Sequence, residues 1–301
     1  MNQQAIENAA QAVSLTEKLG LARSAKVLVV HADDLGMTHS INEASLRGME
    51  VGVISSASVM PAGPWFPEIV QYARAHPELD FGLHFAVTSE RSFYRFGPVA
   101  SRDRVGSLVD AAGYFHQDWS EAVRAQVQAD QIELELRAQL ERARQLGFTP
   151  SHLDSHQYRL YQSGPAVFEA LLRVAQDARL PILLARSWFD RWPYLAAAER
   201  FGQLAIDRTV TIEPGISPEK WGEFYLEAIR GLEPGVTELI VHPAFNDPEM
   251  QAFGRDRTTW DGAWRQRDYD VLTSDEFRNA LVESDVKLMS WRELRAGLRG
   301  E

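Results

Sequence analysis

The sequence predicts an α/β fold, a TIM-like (β/α) barrel, regular or irregular, with mostly parallel strands. Short apolar runs alternate with longer stretches of helical periodicity, the order typical of a parallel sheet covered by helices. Eight runs are predicted strands: residues 26–34, 53–61, 79–87, 150–157, 181–187, 209–214, 238–245 and 286–291. We therefore expect one barrel domain over residues 26–301, preceded by a helical extension over residues 1–25.

The clearest helix is predicted from Trp119 to Leu146, where apolar residues recur at helical spacing until Gly147. Two stretches interrupt the alternation, residues 88–118 and 246–270, and both are rich in aromatic residues, glycine and arginine. Loops of this length inside a compact domain are usually functional or disordered, and the aromatic content favours the walls of a binding site.

Composition limits the partners and the chemistry. The 301 residues carry a net charge of -11, which excludes a global basic field for nucleic acid or an anionic membrane. We expect a neutral small-molecule partner, and a homodimer remains open. Because the chain has no cysteine, disulfides and thiolate metal sites are excluded, and any metal must be held by oxygen and imidazole nitrogen.

The first 25 residues lack the basic start and the apolar centre of a signal peptide, and their pattern suits an amphipathic helix. No segment is apolar for long enough to span a membrane. We expect a soluble, cytoplasmic chain, although a chain with its leader removed would read the same.

Polar residues collect where four predicted strands end. In a β/α barrel the loops after these carboxyl ends build the active site. The residues concerned are Asp33, Asp34, His84, His152, Asp154, His156 and His242. Four strands thus bring carboxylates and imidazoles towards one mouth of the barrel.

Each of these residues also has an ordinary structural interpretation. An isolated Asp33–Asp34 pair before Leu-Gly is more often a turn that caps the next helix. A single histidine in an apolar strand, such as His84, is more often a satisfied core residue, and His242 before Pro243 could shape a turn.

The segment "HLDSH" is harder to explain in that way. With the alternation of a strand, His152, Asp154 and His156 point to one face. Three ionisable groups on an interior face are strongly disfavoured without a metal or a polar cavity. Two imidazoles and a carboxylate with open positions suit Zn²⁺, Mn²⁺, Co²⁺, Fe²⁺ or, less comfortably, Mg²⁺.

Five motifs, in order over residues 26 to 295, resemble those of the YdjC-like carbohydrate deacetylases. They are "HADDLG", "FGLHF", "SHLDSHQ", "ELIVHPAF" and the closing "DYDVLTSDEFRNALVESDVKLMSWREL". The resemblance implies a TIM-like barrel hydrolase with one divalent metal ion: Zn²⁺, Mg²⁺, Mn²⁺ or Co²⁺. Its implied reaction is removal of an acetyl group from an N-acetylated mono- or oligosaccharide.

The resemblance also implies roles for single residues. The metal ligands map onto Asp34, His84 and His156, and Asp33 corresponds to the catalytic base.

His152 and Asp154 are candidates for substrate contacts or for neighbours of a ligand. From the chemistry of amide hydrolysis, we select His242 as the acid that protonates the departing nitrogen or steadies the oxyanion.

The chain departs from the family at two positions. Members often carry asparagine where this chain has His31, and a further histidine where it has Tyr158. Both changes alter the rim of the pocket, so chitobiose specificity is not carried over. Two other readings stay open: a metal-dependent hydrolase of another amide or ester, and a metal-bearing sugar-binding protein without turnover.

Overall fold

The computed structural model describes residues 13–299. Of the predicted helical extension, residues 1–12 lie outside the described part, and Leu15–Lys18 forms a short helix, α1. Ser14 caps α1 by accepting a hydrogen bond from the Glu17 N–H. The assignment of residues 26–301 to one domain stays a prediction.

The strands form a curled parallel sheet. Their bounds are β1 (Lys26–Leu35), β2 (Ser56–Val59), β3 (Phe81–Phe85), β4 (Leu153–Ser155), β5 (Arg208–Thr211), β6 (Gly235–Val241) and β7 (Val286–Leu288). The order is β4-β3-β2-β1-β6-β5, every pairing is parallel, and β7 pairs with the first three residues of β1.

Two isolated parallel bridges complete the circuit of the sheet. They join Leu153 to Ile182 and Ala185 to Ile206, so pairing passes from β4 back to the chain entering β5. The predicted α/β TIM-like barrel is therefore confirmed, in an irregular form.

The regular strand predicted at residues 181–187 is wrong. Pro181 has no N–H to donate, and the N–H of Ile182 binds the Gln203 side-chain oxygen at 2.9 Å instead of a neighbouring strand. This segment therefore contributes bridges rather than a ladder.

Helices surround the sheet. Their bounds are α2 (His39–Glu50), α3 (Phe66–Ala75), α4 (Glu121–Gln126), α5 (Ala129–Gln145), α6 (Arg159–Gln162), α7 (Pro165–Ala178), α8 (Trp221–Arg230), α9 (Pro248–Gly254), α10 (Gly262–Leu272), α11 (Asp275–Glu283) and α12 (Trp291–Arg299). Within residues 13–299, no helix combines the length and the apolarity that crossing a membrane requires.

The single helix predicted from Trp119 to Leu146 is wrong, because α4 and α5 are separate. Val127 and Gln128 between them are extended, and the Gln128 N–H binds the Ser107 hydroxyl at 3.1 Å instead of a helical carbonyl.

The side chains that line the barrel interior change from apolar to polar along β1. Val27 and Val29 face inward near the amino end and join an apolar cluster with Trp291 and Leu294 of α12. Two and four residues further on, the same face carries His31 and Asp33. The carboxyl end of the barrel is therefore polar inside.

We predict that Gly82→Ala destabilises the barrel. A Cβ at Gly82 would meet the His152 ring at 2.4 Å, and that ring is fully buried. We expect the free energy of unfolding in urea to fall by about 1–3 kcal/mol. The matched control is Gly222→Ala in α8, where nothing lies within 4 Å of the added Cβ. Equal stability of Gly82→Ala and the unchanged chain would contradict this packing.

Candidate metal centre

The end of β1 is irregular in a way that turns two aspartates inward. Ala32 and Leu35 are three residues apart in β1, but their partners in β2, Ala57 and Val59, are only two residues apart. The register between the two strands therefore slips by one residue at this point. Asp34 has φ of 72°, a left-handed conformation that aspartate tolerates better than most residues. Asp33 and Asp34 therefore both lie against the histidines of the barrel interior, although they are adjacent in sequence.

Asp34, His84 and His156 converge at the carboxyl end of the barrel. Asp34 Oδ1 lies 2.9 Å from His156 Nδ1 and 3.4 Å from His84 Nε2. All three side chains are buried. The structure thus brings together the three residues predicted as metal ligands from three different strand ends.

The outer nitrogens of both imidazoles face carboxylates. His84 Nδ1 lies 2.8 Å from Asp154 Oδ1, and His156 Nε2 lies 3.2 Å from Glu90 Oε2. With the ring protons assigned to these outer contacts, the inner nitrogens direct lone pairs at Asp34. This is the arrangement of metal-binding histidines, whose outer N–H is usually held by a carboxylate.

Unpartnered atoms support the fit to a cation. Asp34 Oδ1 and His84 Nε2 are buried and have no hydrogen-bond partner among the residues that the structure describes. Lone pairs that face a carboxylate repel it unless a cation or a proton lies between them. The donor set of two imidazoles and one carboxylate therefore fits a divalent metal ion.

Arg265 fixes the second oxygen of Asp34 through a 2.6 Å hydrogen bond from Nη2 to Oδ2. Burial alone would raise the pKa of the Asp34 carboxyl, but Arg265 and His156 hold it well below its usual range. Burial opposes protonation of His156, whereas Glu90 and Asp34 raise its pKa to about 9. A divalent ion would take the place of that proton.

Asp33 lies beside the triad and closer to the barrel mouth. Its Oδ2 is 3.8 Å from both His84 Nε2 and His242 Nε2, and its side chain is 13% exposed. The two residues predicted for acid–base roles, Asp33 and His242, therefore face the same space.

Asp268 anchors His242, the residue that directly follows β6. The His242 N–H donates to Asp268 Oδ2 at 2.9 Å, while Trp221 Nε1 and Tyr225 Oη donate to Oδ1. Burial lowers the pKa of the His242 imidazole.

The expectation that His31 alters the rim of the pocket is wrong, because His31 lies below Asp33 and is completely buried. Its Nε2 is 3.2 Å from Asp154 Oδ2 and 3.3 Å from Asp33 Oδ1, and its Nδ1 is 3.6 Å from Glu238 Oε1. Burial opposes protonation of this ring, but Glu238 and Asp154 raise its pKa to about 10. The histidine before the two aspartates thus faces three carboxylates, those of Asp33, Asp154 and Glu238.

His152 and Asp154, predicted as substrate contacts or neighbours of a ligand, take different positions. Asp154 binds the outer nitrogen of His84. His152 is completely buried and stacks on Trp291 with ring centroids 5.2 Å apart. The described structure therefore places His152 away from the mouth.

The two long segments that interrupt the strand–helix alternation, residues 88–118 and 246–270, lie against each other over the site. Arg91 Nη2 donates to the Trp260 carbonyl at 2.7 Å, and the Ser92 N–H donates to Asp256 Oδ2 at 2.6 Å. The first segment supplies Glu90, and the second supplies Arg265.

Sequence reasoning missed Glu90, Arg265, Asp268 and Glu238. Glu238 could have been found, because strand alternation places it on the same face as His242. Nothing local distinguishes Arg265 from the other arginines nearby, and Glu90 is one acid within a long irregular loop.

Comparison with known proteins agrees with this geometry. The sequence profile of the YdjC-like protein family matches residues 27–283. This chain belongs to the YdjC-like family. Two relatives are named carbohydrate deacetylase. The Thermus thermophilus relative is 34% identical over 95% of this chain and all of its own length. The Thermoanaerobacter pseudethanolicus relative is 30% identical over 90% of this chain and its full length.

A solved structure of similar fold comes from Enterococcus faecalis and is described as a proposed cellobiose-phosphate cleavage protein. It has a TM-score of 0.75 and 27% identity, covering 90% of this chain and 99% of its own. The predicted family is thus confirmed. The predicted enzyme class, a deacetylating hydrolase, is that of the named YdjC-like relatives.

We predict that Asp154→Asn weakens metal binding at the Asp34 centre without removing any of its three ligands, Asp34, His84 and His156. The amide cannot stabilise the outer N–H of His84 as a carboxylate does, so Zn²⁺ affinity should fall roughly 10- to 100-fold. Titration calorimetry of the metal-free chain would measure the change. Asp177→Asn on the exposed surface is the control, and an unchanged affinity for Asp154→Asn would contradict the orienting role.

Proposed function

We propose that this chain is a metal-dependent hydrolase that removes the acetyl group from an N-acetylated mono- or oligosaccharide. The observation that carries the proposal is the pair of buried imidazoles directed at one oxygen of Asp34, with a second carboxylate, Asp33, beside them at the barrel mouth. The shared name of the YdjC-like relatives supports the same reaction.

The ligands would be Asp34, His84 and His156. A divalent ion there supplies Lewis acidity, which acidifies a water and polarises the acetyl carbonyl.

The other residues of the site handle protons and positions. Asp33 accepts the proton of the attacking water, a contribution that is typically on the order of 10² to 10⁴ in rate. The C–N bond then breaks, acetate forms, and His242 delivers a proton to the departing nitrogen. Arg265 keeps Asp34 ionised and oriented, and Asp268 fixes the backbone of His242.

A cavity of about 470 Å³ on the same end of the barrel suits a sugar. Its lining includes the aromatic residues Tyr158, Trp188, Trp192 and Phe224 and the β5 residues Thr209 and Thr211. The cavity lining includes none of the candidate ligands, and its link to them is Tyr158, which follows His156 by two residues. Aromatic faces beside hydrogen-bonding groups are compatible with a pyranose ring.

The two alternative functions require different substrates or different residues. A hydrolase of another amide or ester would use the same residues on a different substrate. A sugar-binding protein without turnover has no need of a carboxylate next to the ligand set, so Asp33 favours an enzyme. A homodimer and a cytoplasmic location stay predictions.

The experiment that tests the proposal is acetate release from a panel of N-acetylated mono- and oligosaccharides, with metal loaded and after chelation. We expect release on at least one sugar, abolished by the chelator and restored by Zn²⁺, Mn²⁺ or Co²⁺. Release that ignores the chelator would contradict the proposal. So would no release from any sugar by the metal-loaded chain.

We predict that the two adjacent aspartates separate in their effects. Asp33→Asn should keep metal content near that of the unchanged chain while the rate falls by on the order of 10² or more, because only the base is lost. Ala at Asp34, His84 or His156 should reduce both metal content and rate. Metal analysis and acetate release measure the two quantities, with exposed His76→Gln as control. Full activity of Asp33→Asn would exclude it as the base.

A further inference from the structure

A second group of buried imidazoles and carboxylates lies beneath the Asp34 centre. We propose that His31, His152 and Asp154 form a second metal site, suited to Zn²⁺ or to the similar ion Co²⁺. Asp154 also holds the outer nitrogen of ligand His84, but this inference does not depend on which substrate is hydrolysed.

The three groups have the spacing of a ligand set. One atom from each lies within 4.8 Å of the others, and all three residues are buried. His31 Nε2 and Asp154 Oδ2 are 3.2 Å apart. Two ligands of a tetrahedral Zn²⁺ ion, each about 2.0–2.1 Å from the metal, stand about 3.3 Å apart.

The hydrogen bonds of His152 direct a lone pair towards this point. The Ser151 hydroxyl donates to the Phe81 carbonyl at 3.1 Å and lies 2.8 Å from His152 Nδ1. With the hydroxyl proton assigned to the Phe81 carbonyl, the His152 Nδ1–H is the donor to Ser151. His152 Nε2 therefore carries the lone pair, as a metal ligand requires.

His31 differs from His152, because neither of its ring nitrogens has a hydrogen-bond partner in the described part of the chain. Its Nδ1 faces the Glu238 carboxylate at 3.6 Å, while its Nε2 faces Asp154. Asp154 uses Oδ1 to hold the outer nitrogen of His84, which leaves Oδ2 for this cluster. One carboxylate thus links the two groups of histidines.

The buried atoms without a hydrogen-bond partner favour a metal ion over a proton between His31, His152 and Asp154. His31 Nε2, His152 Nε2 and Asp154 Oδ2 are buried without a hydrogen-bond partner in the described part of the chain. A proton on His31 Nε2 could serve Asp154, but it would leave His152 Nε2 unsatisfied. A divalent ion accepts electron pairs from all three atoms. Two imidazoles and one carboxylate favour Zn²⁺ or Co²⁺ over Mg²⁺.

The test is metal stoichiometry. The full chain is stripped with a chelator, reloaded with Zn²⁺ or Co²⁺, desalted, and analysed for metal per chain by mass spectrometry. We expect two equivalents for the unchanged chain and for the control His76→Gln. We expect one equivalent for His152→Gln and for His31→Asn, and one for Asp34→Asn, which keeps the lower site.

The readout is independent of acetate release, so failure of this inference and failure of the proposed reaction are distinguishable. One equivalent in the unchanged chain, not reduced by His152→Gln, would overturn the second site. Loss of both equivalents in a variant with native circular dichroism would also overturn it, because the sites would not be separate. If both histidine variants unfold, the second site is tested by anomalous scattering at the zinc edge from crystals of the unchanged chain. A peak bonded to His152 Nε2 supports the site, and the absence of that peak overturns it.

Discussion

The cost of burying carboxylates inside a barrel is the constraint on which this structure depends. Asp34, Asp154 and Glu238 are almost fully buried, and Asp33 is only slightly exposed. Unpaired charges in such a place would destabilise the fold by several kcal/mol each. The interior therefore surrounds them with Arg265 and with imidazoles, and this compensation determines which ring nitrogens are left to hold a cation.

The placement of the candidate ligands could be predicted because it follows from strand geometry. Carboxyl ends of parallel strands meet at one end of a barrel, and alternation along a strand decides which residues face inward. His84, His156 and the two aspartates stand at such ends, so local patterns were sufficient to group them. Burial of Asp34 against His156 then follows from the closure of the sheet.

The remaining features depend on contacts distant in sequence. The slip in β1 that turns both aspartates inward has no signal beyond "DDLG" itself. Arg265 lies more than 200 residues from the Asp34 that it binds, and Glu90 reaches His156 across a loop. Residues 181–187 do not form a regular strand, because the side chain of Gln203 accepts the hydrogen bond from the Ile182 N–H. Such partners are selected by tertiary packing, which a single sequence does not display.

The proposed reaction needs one divalent ion between Asp34, His84 and His156. The most direct measurement is anomalous diffraction from crystals of the chain loaded with Zn²⁺ or Mn²⁺. The account predicts an anomalous peak about 2.0–2.3 Å from Asp34 Oδ1, His84 Nε2 and His156 Nδ1. A loaded crystal without density at that point, or with the ion held there by other residues, would contradict it.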